Sequence, residues 1–135
     1  NVRPPLALDV AAPDWETNAA IPAPLAAILC INMIHISPWA ATLGLMRGAG
    51  RLLADGGVLY LYGAYKRGGR HTAPSTAAFD ASLRAQHPDW GVRDIETVTA
   101  EADRAGFALE EVVEMPANNL SVIFRRRPAG RAQST

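Results

Sequence analysis

With 135 residues, 49% of them hydrophobic, the chain can bury the core of one domain and does not read as a disordered segment. Lys+Arg and Asp+Glu number 13 each, and a net charge of zero offers no global field for nucleic acid or an anionic membrane surface. A single cysteine, Cys30, excludes a disulfide framework or a four-cysteine zinc site, and the apolar run 25–31 is far shorter than the ~20 residues that cross a bilayer, so a cytoplasmic protein with no metal centre is expected.

The sequence opens at Asn1 without a methionine, and residues 1–5 lack a charged leader followed by an apolar stretch, so the opening reads as a cut partway through a fold. Residues 6–10 have the apolar character of a short buried strand, with Asp9 near its end. Pro13, Pro22 and Pro24 forbid a long helix in 11–24, which reads as loop with one short helical turn. The continuous apolar run 25–33 fits a central strand covered on both faces, as in a parallel sheet. Ser37 is placed to cap the next helix, with Pro38 at its first position; Trp39, Thr42, Leu43, Met46, Ala49 and Leu53 share one face, with Arg47 and Arg51 off it. Asp55, Gly56 and Gly57 should end that helix before an apolar strand over 58–62.

Residues 63–74 carry Gly63, Gly68 and Gly69, several cations and no hydrophobic period, and read as a long loop leaving a strand end. Ser75 should cap a helix through Gln86 with Phe79 and Leu83 inward. Asp94 should cap another, with Ile95, Val98, Ala102 and Ala105 on one face and Gly106 ending it. Strands over 107–115 and 120–126 are joined by Pro116, Ala117, Asn118 and Asn119 into an antiparallel hairpin. Residues 1–127 thus form one partial domain and 128–135 a disordered tail. Alternation of strands and helices predicts an α/β fold, mostly a parallel sheet with a terminal antiparallel hairpin, whose ligands bind beyond the carboxyl ends of the strands: after Val10, Met33 and Tyr62.

Several blocks carry a resemblance. The run Leu52-Leu53-Ala54-Asp55-Gly56-Gly57-Val58-Leu59, following a strand that ends Cys30-Ile31-Asn32-Met33-Ile34-His35, resembles the second half of class I methyltransferases that use S-adenosylmethionine. The blocks Asn32 to Trp39, Tyr62 to Thr72, Phe79 to Arg84 and Met115 to Leu120 are similar to the methyltransferase-like family of unknown function that includes animal methyltransferase-like protein 26. The resemblance covers nearly the whole chain and implies the C-terminal part of a Rossmann-like class I methyltransferase fold. It also implies that Asp9 accepts the adenine amino group, that the Val10 N–H faces the ring edge, that Trp15 lies against the adenine face, and that the Asn32 and Met33 backbone lines the methionine part of the cofactor. The family's glycine-rich loop and ribose-binding acid have no counterpart here, so the chain alone is expected not to bind S-adenosylmethionine appreciably and to expose apolar sheet, inviting oligomerisation or strand exchange.

Each candidate residue has a plainer role beside the functional one. Asp9 may be read as a turn cap or as a ligand, and His35 as a general base near the transferred methyl or a histidine satisfying loop carbonyls. Tyr65 is the other candidate for proton handling. Tyr62, Lys66, Arg70 and His71 border either a solvated basic loop or a lid that contacts an acidic or polar acceptor; Trp90 and Arg93 close a pocket or plug the space between helices. Asn118 and Asn119 are turn residues first and pocket residues second, Asp80 and Arg84 form a surface ion pair worth ~0.3–0.5 kcal/mol, and 125–127 is a solvated basic strand end. Three functions follow: methyl transfer to a small-molecule or protein acceptor, a noncatalytic interaction domain that keeps the fold, and a reductase resting on the Tyr62-x-x-x-Lys66 spacing.

Overall fold

A computed structural model describes residues 5–128. Strand β1 (Leu25–Ile31) runs parallel to β2 (Leu53–Gly63), which pairs antiparallel with the last strand, β7 (Asn119–Arg126), itself antiparallel to β6 (Phe107–Met115). The order across this four-stranded sheet is β1-β2-β7-β6, so it is mixed, with one parallel pair. Helices α1 (Trp39–Leu52) and α3 (Ile95–Arg104) contribute to one core with Leu59, Leu61, Val122 and Phe124 of the sheet. Met46, Ala49, Val98, Ala102 and Phe107 complete its centre.

Residues 6–10 do not form the expected strand. They pair with no neighbour, Leu6 and Leu8 are exposed, and the Asp9 carboxylate accepts the Ala11 N–H at 3.0 Å while the Asp9 carbonyl accepts the Ala12 N–H at 2.9 Å. Asp9 therefore closes a local turn, the competitor a short polar side chain offers to a sheet ladder. Among the described residues β1 is paired on one side only, where a covered central strand was expected: Ile28 and Cys30 turn to the core, but Leu29 is 65% exposed and Ile31 62%.

The short helical turn expected in the Pro-rich stretch is Trp15–Thr17. Its tryptophan lies on α1, where the indole N–H donates to the Gly44 carbonyl at 2.9 Å and the ring covers Gly48. A Cβ on Gly48 would overlap that ring, and one on Gly44 would overlap the Val10 carbonyl oxygen. Gly48→Ala should therefore cost ~1–3 kcal/mol and red-shift tryptophan emission, read by urea unfolding followed by fluorescence; an unchanged midpoint and spectrum would contradict this packing.

Two helix-boundary expectations are corrected. Ser37 does not cap α1: its hydroxyl donates to the Met33 carbonyl at 2.6 Å, closing the 3-10 turn Met33–His35, and Pro38 takes the cap position. Asp55-Gly56-Gly57 does not end the helix either, because the chain passes from Leu52 directly into β2; Gly56, at φ 76°, sits where the register slips between Leu25↔Leu53 and Ala27↔Val58. A left-handed glycine is as useful in such a bulge as after a helix. Leu43, expected inward, is exposed.

The long loop over 63–74 is largely a hairpin, β3 (Tyr65–Arg67) and β4 (Arg70–His71), and β3 also pairs in parallel with β5 (Arg93–Asp94). The turn Gly68-Gly69 is held from α3: Gly68 N–H donates to the Glu96 carboxylate at 3.0 and 3.1 Å, and Gly69 N–H to Asp94 at 3.0 Å. Asp94 takes the cap position of α3, but its carboxylate is spent on Gly69 rather than on its own helix. These bonds hold the tip of the segment against the start of α3. Helix α2 (Pro74–Gln86) buries Leu83 but turns Phe79 outward, against expectation. The expected tail, 128–135, lies outside the described residues but for Pro128.

Candidate functional site

The parallel pair β1 and β2 ends in one tight knot. Asn32 follows β1 in the left-handed region at φ 60°, a conformation Asn tolerates; its N–H donates to the Tyr62 carbonyl at 2.8 Å and its carbonyl accepts the His35 N–H at 3.1 Å. The chain therefore reverses sharply and drops Ile34 and His35 into the interior. Gly63 completes the knot, since a Cβ there would stand 2.5 Å from His35 Nε2 and 2.9 Å from Asn32 Oδ1.

His35 is 0% exposed and meets the ring of Tyr65, itself 1% exposed, edge-on at 5.1 Å. Both imidazole nitrogens and the Tyr65 hydroxyl lack hydrogen-bond partners among the described residues. Burial pushes His35 down to about 4, the Arg93 guanidinium adds to this, and Gly91 and Asp80 oppose it. Burial raises Tyr65 above its ordinary value, with Cys30 adding to it, and burial likewise pushes the Cys30 thiol up to about 11. Near neutral pH both rings are uncharged.

Arg93 fastens the knot to the neighbouring loop. Its guanidinium donates to the carbonyls of Ile34 at 3.0 Å, Ser37 at 2.8 Å and Asp89 at 2.8 Å, and lies 5.6 Å from the centre of the Trp39 ring. Asp80 does the same for α2. Read in the sequence as half of a surface pair, it is only 7% exposed and accepts the Val92 N–H at 2.9 Å and Arg84 Nε at 3.1 Å, with His71 Nε2 at 3.4 Å. Burial alone would raise its carboxyl, but Val92, Arg84 and His71 together hold it below its ordinary value.

Beside the knot, at the carboxyl ends of β1 and β2, lies a cleft of about 250 Å³ lined by Asn32, Ala64, Ser75, Thr76, Phe79, Ala117 and Asn119. Asn119 Nδ2 donates to the Tyr62 hydroxyl at 3.2 Å and Asn118 Nδ2 to Ser75 Oγ at 3.1 Å, so the β6–β7 connection is tied to β2 and to α2. Of the expected site residues, Asn32 lines the cleft, Tyr62 and Asn118 border it through these bonds, and Met33, His35 and Tyr65 belong to the knot. Val10 and Trp15 lie against α1 instead, next to the Asp9 turn. Lys66 faces Asp94 at 4.0 Å, Arg70 is exposed at the hairpin, and Trp90 stacks on His87 at 5.5 Å.

Sequence reasoning missed Ala64, Ser75, Thr76, Phe79 and Ala117 as lining. Helical periodicity aimed Phe79 inward, and nothing in the sequence signals that Ala117 adopts φ 63°. Tyr62 and Lys66 sit on β2 and β3, so the reductase spacing lacks the helix its chemistry needs. The basic strand end is solvated as expected, with Arg125 and Arg127 exposed, and its cations are also paired: Arg125 with Glu110, Arg126 with the Gly50 carbonyl and Arg127 with Asp103. Among the described residues no group of three His, Cys, Asp or Glu could hold a metal ion, and no helix is long and apolar enough to cross a membrane.

Residues 1–126 match the family described as protein of unknown function (DUF938). The fold is similar to that of human N-acetylserotonin methyltransferase in complex with S-adenosylmethionine, at 14% identity and TM-score 0.68 over 77% of this chain and 31% of that one. It is similar to an O-methyltransferase family protein from Burkholderia thailandensis, at 14% identity and TM-score 0.69 over 80% of this chain and 32% of that one. It is also similar to the pyocyanin biosynthetic protein PhzM, at 21% identity and TM-score 0.65 over 78% of this chain and 32% of that one. The chain spans about a third of the length of these structures and has the fold of their C-terminal part.

Proposed function

We propose that this chain, which belongs to the DUF938 family, carries the acceptor side of an S-adenosylmethionine-dependent methyltransferase. One observation supports this most: the Asn32–Gly63 knot and its cleft stand at the carboxyl ends of parallel strands, where such sheets bind ligands, in a fold shared with methyltransferases. The half-buried Asn32 and Met33 offer backbone for the methionine part of the cofactor, and Asp9, Val10 and Trp15 are the adenine side in the whole protein. Likeness to the family of methyltransferase-like protein 26 belongs to the same proposal.

When bound, the cofactor supplies an already activated methyl group. The chain's task is then to align a nucleophile with it, exclude water and take up a proton where the acceptor must lose one. His35, neutral and wholly buried within the knot, is the proton acceptor of this proposal, and Tyr65 packs edge-on against its ring. Tyr62 and Asn118 hold the cleft walls through Asn119 and Ser75, Arg93 holds the turn after β1, and acceptor contacts from Lys66, Arg70, His71 and Trp90 are part of the proposal.

The test is transfer of a radiolabelled methyl group by the whole protein. His35→Gln should lower kcat by about 100-fold, the scale of a lost general base, and leave affinity for S-adenosylhomocysteine within about 2-fold. An unchanged kcat would reduce His35 to a prop. A noncatalytic interaction domain is the second reading, favoured by the open apolar face at Leu29 and Ile31; absence of transfer together with capture of a protein on that face would support it.

A further inference from the structure

The cleft contains no charged side chain. Its walls are amide, hydroxyl, methyl and phenyl groups, and the charges nearby are already committed: Lys66 to Asp94, His71 and Arg84 to Asp80, Arg93 to three carbonyls. An anion or cation entering here would shed water without meeting a partner of opposite sign on the cleft walls. The first turn of α2 offers an anion only the helix dipole. The volume, about 250 Å³, falls below the ~300 Å³ at which ordinary ligand pockets begin.

The polar groups are set before any ligand arrives. Asn119 is oriented by its bond to the Tyr62 hydroxyl, Ser75 by the bond it accepts from Asn118, and Asn32 by its left-handed backbone. Phe79, 37% exposed, adds an apolar face at one wall. The face of that single ring can stack on a flat partner, and polar groups already oriented lose little entropy when they bind.

We infer that the cleft takes an uncharged, flat molecule about the size of one substituted aromatic ring, its face on Phe79 and a hydrogen-bonding group toward Asn119 and Asn32. The inference rests on the methyl-transfer reading for its meaning as acceptor class, and of the acidic or polar acceptor expected from the basic loop it keeps the polar one. Chemical-shift titrations of the full chain with benzamide, benzoate and benzylammonium compare three molecules of like shape that differ in charge. Benzamide should give saturable shifts at Thr76, Phe79 and Asn119, both ions should bind at least about 10-fold more weakly, and Phe79→Ala should weaken benzamide by about 10-fold. An ion binding as tightly as benzamide, shifts that lie elsewhere, or no saturable binding by any of the three would overturn the inference. Methyl transfer by the whole protein is assayed separately: transfer without benzamide binding would refute the acceptor class alone, and benzamide binding without transfer would refute methyl transfer alone.

Discussion

Arg93→Ala is expected to lower stability by about 3 kcal/mol, since hydrogen bonds from a charged donor contribute roughly 1.5–3 kcal/mol each and do not add in full. The substitution strips a donor from the carbonyls of Ile34, Ser37 and Asp89 at once, and so frees the turn after β1 from the loop that leads into β5. Lysine should restore little, because an ammonium on a flexible stem cannot reproduce the planar fork that reaches separate carbonyls. Urea unfolding measures both variants. A loss below about 1 kcal/mol for Arg93→Ala, the scale of one ordinary surface contact, would contradict the clamp.

The second large effect is pH-dependent. His35 is held at about 4 when folded and returns to 6.5 when unfolded, so between these values the unfolded chain binds the additional proton. Its contribution is therefore complete above the unfolded value and is lost as pH falls toward the folded one, about 3 kcal/mol over the full interval. Glu16 and Asp80, both held below their ordinary carboxyl values, lose their contributions further down in pH and with the same sign. His35→Leu separates the terms: the ring nitrogens it removes have no partners, so stability near neutrality should change by less than about 1.5 kcal/mol, and the loss on acidification should shrink by most of the histidine share. Parallel acid slopes for the two proteins would contradict a buried, neutral His35.

Much of this fold is legible in the sequence where a single physical signal dominates. The α3 face of Ile95, Val98 and Ala102, the strands β6 and β7 and the hairpin between them follow from periodicity and turn chemistry. The apolar segment before His35 is a strand as expected, but its edge position is not readable, because covered and uncovered apolar strands have the same pattern until their neighbours are known. Gly56 shows the same limit: a left-handed glycine serves a helix end and a bulge equally well, and only pairing decides. At the site, Asn32 and His35 could be singled out because strand ends in α/β sheets carry ligands. The cleft walls could not, since Phe79, Ser75 and Ala117 meet there only through the docking of α2 against the β6–β7 connection. The anchoring of 63–74 was equally hidden, as Glu96 and Asp94 lie far along the chain from Gly68 and Gly69.

The central claim is that the carboxyl ends of β1 and β2 form the methyl-transfer face. Titrating the isotope-labelled chain with S-adenosylhomocysteine to millimolar concentration and following backbone amide shifts tests it most directly. The account predicts weak binding whose shifts concentrate at Asn32, Met33, Ile34, Gly63 and Ala64 and shrink in Gly63→Val, where a side chain would collide with His35 and Asn32. Shifts concentrated instead in the groove between α3 and β6, around Thr99 and Leu109, would contradict it.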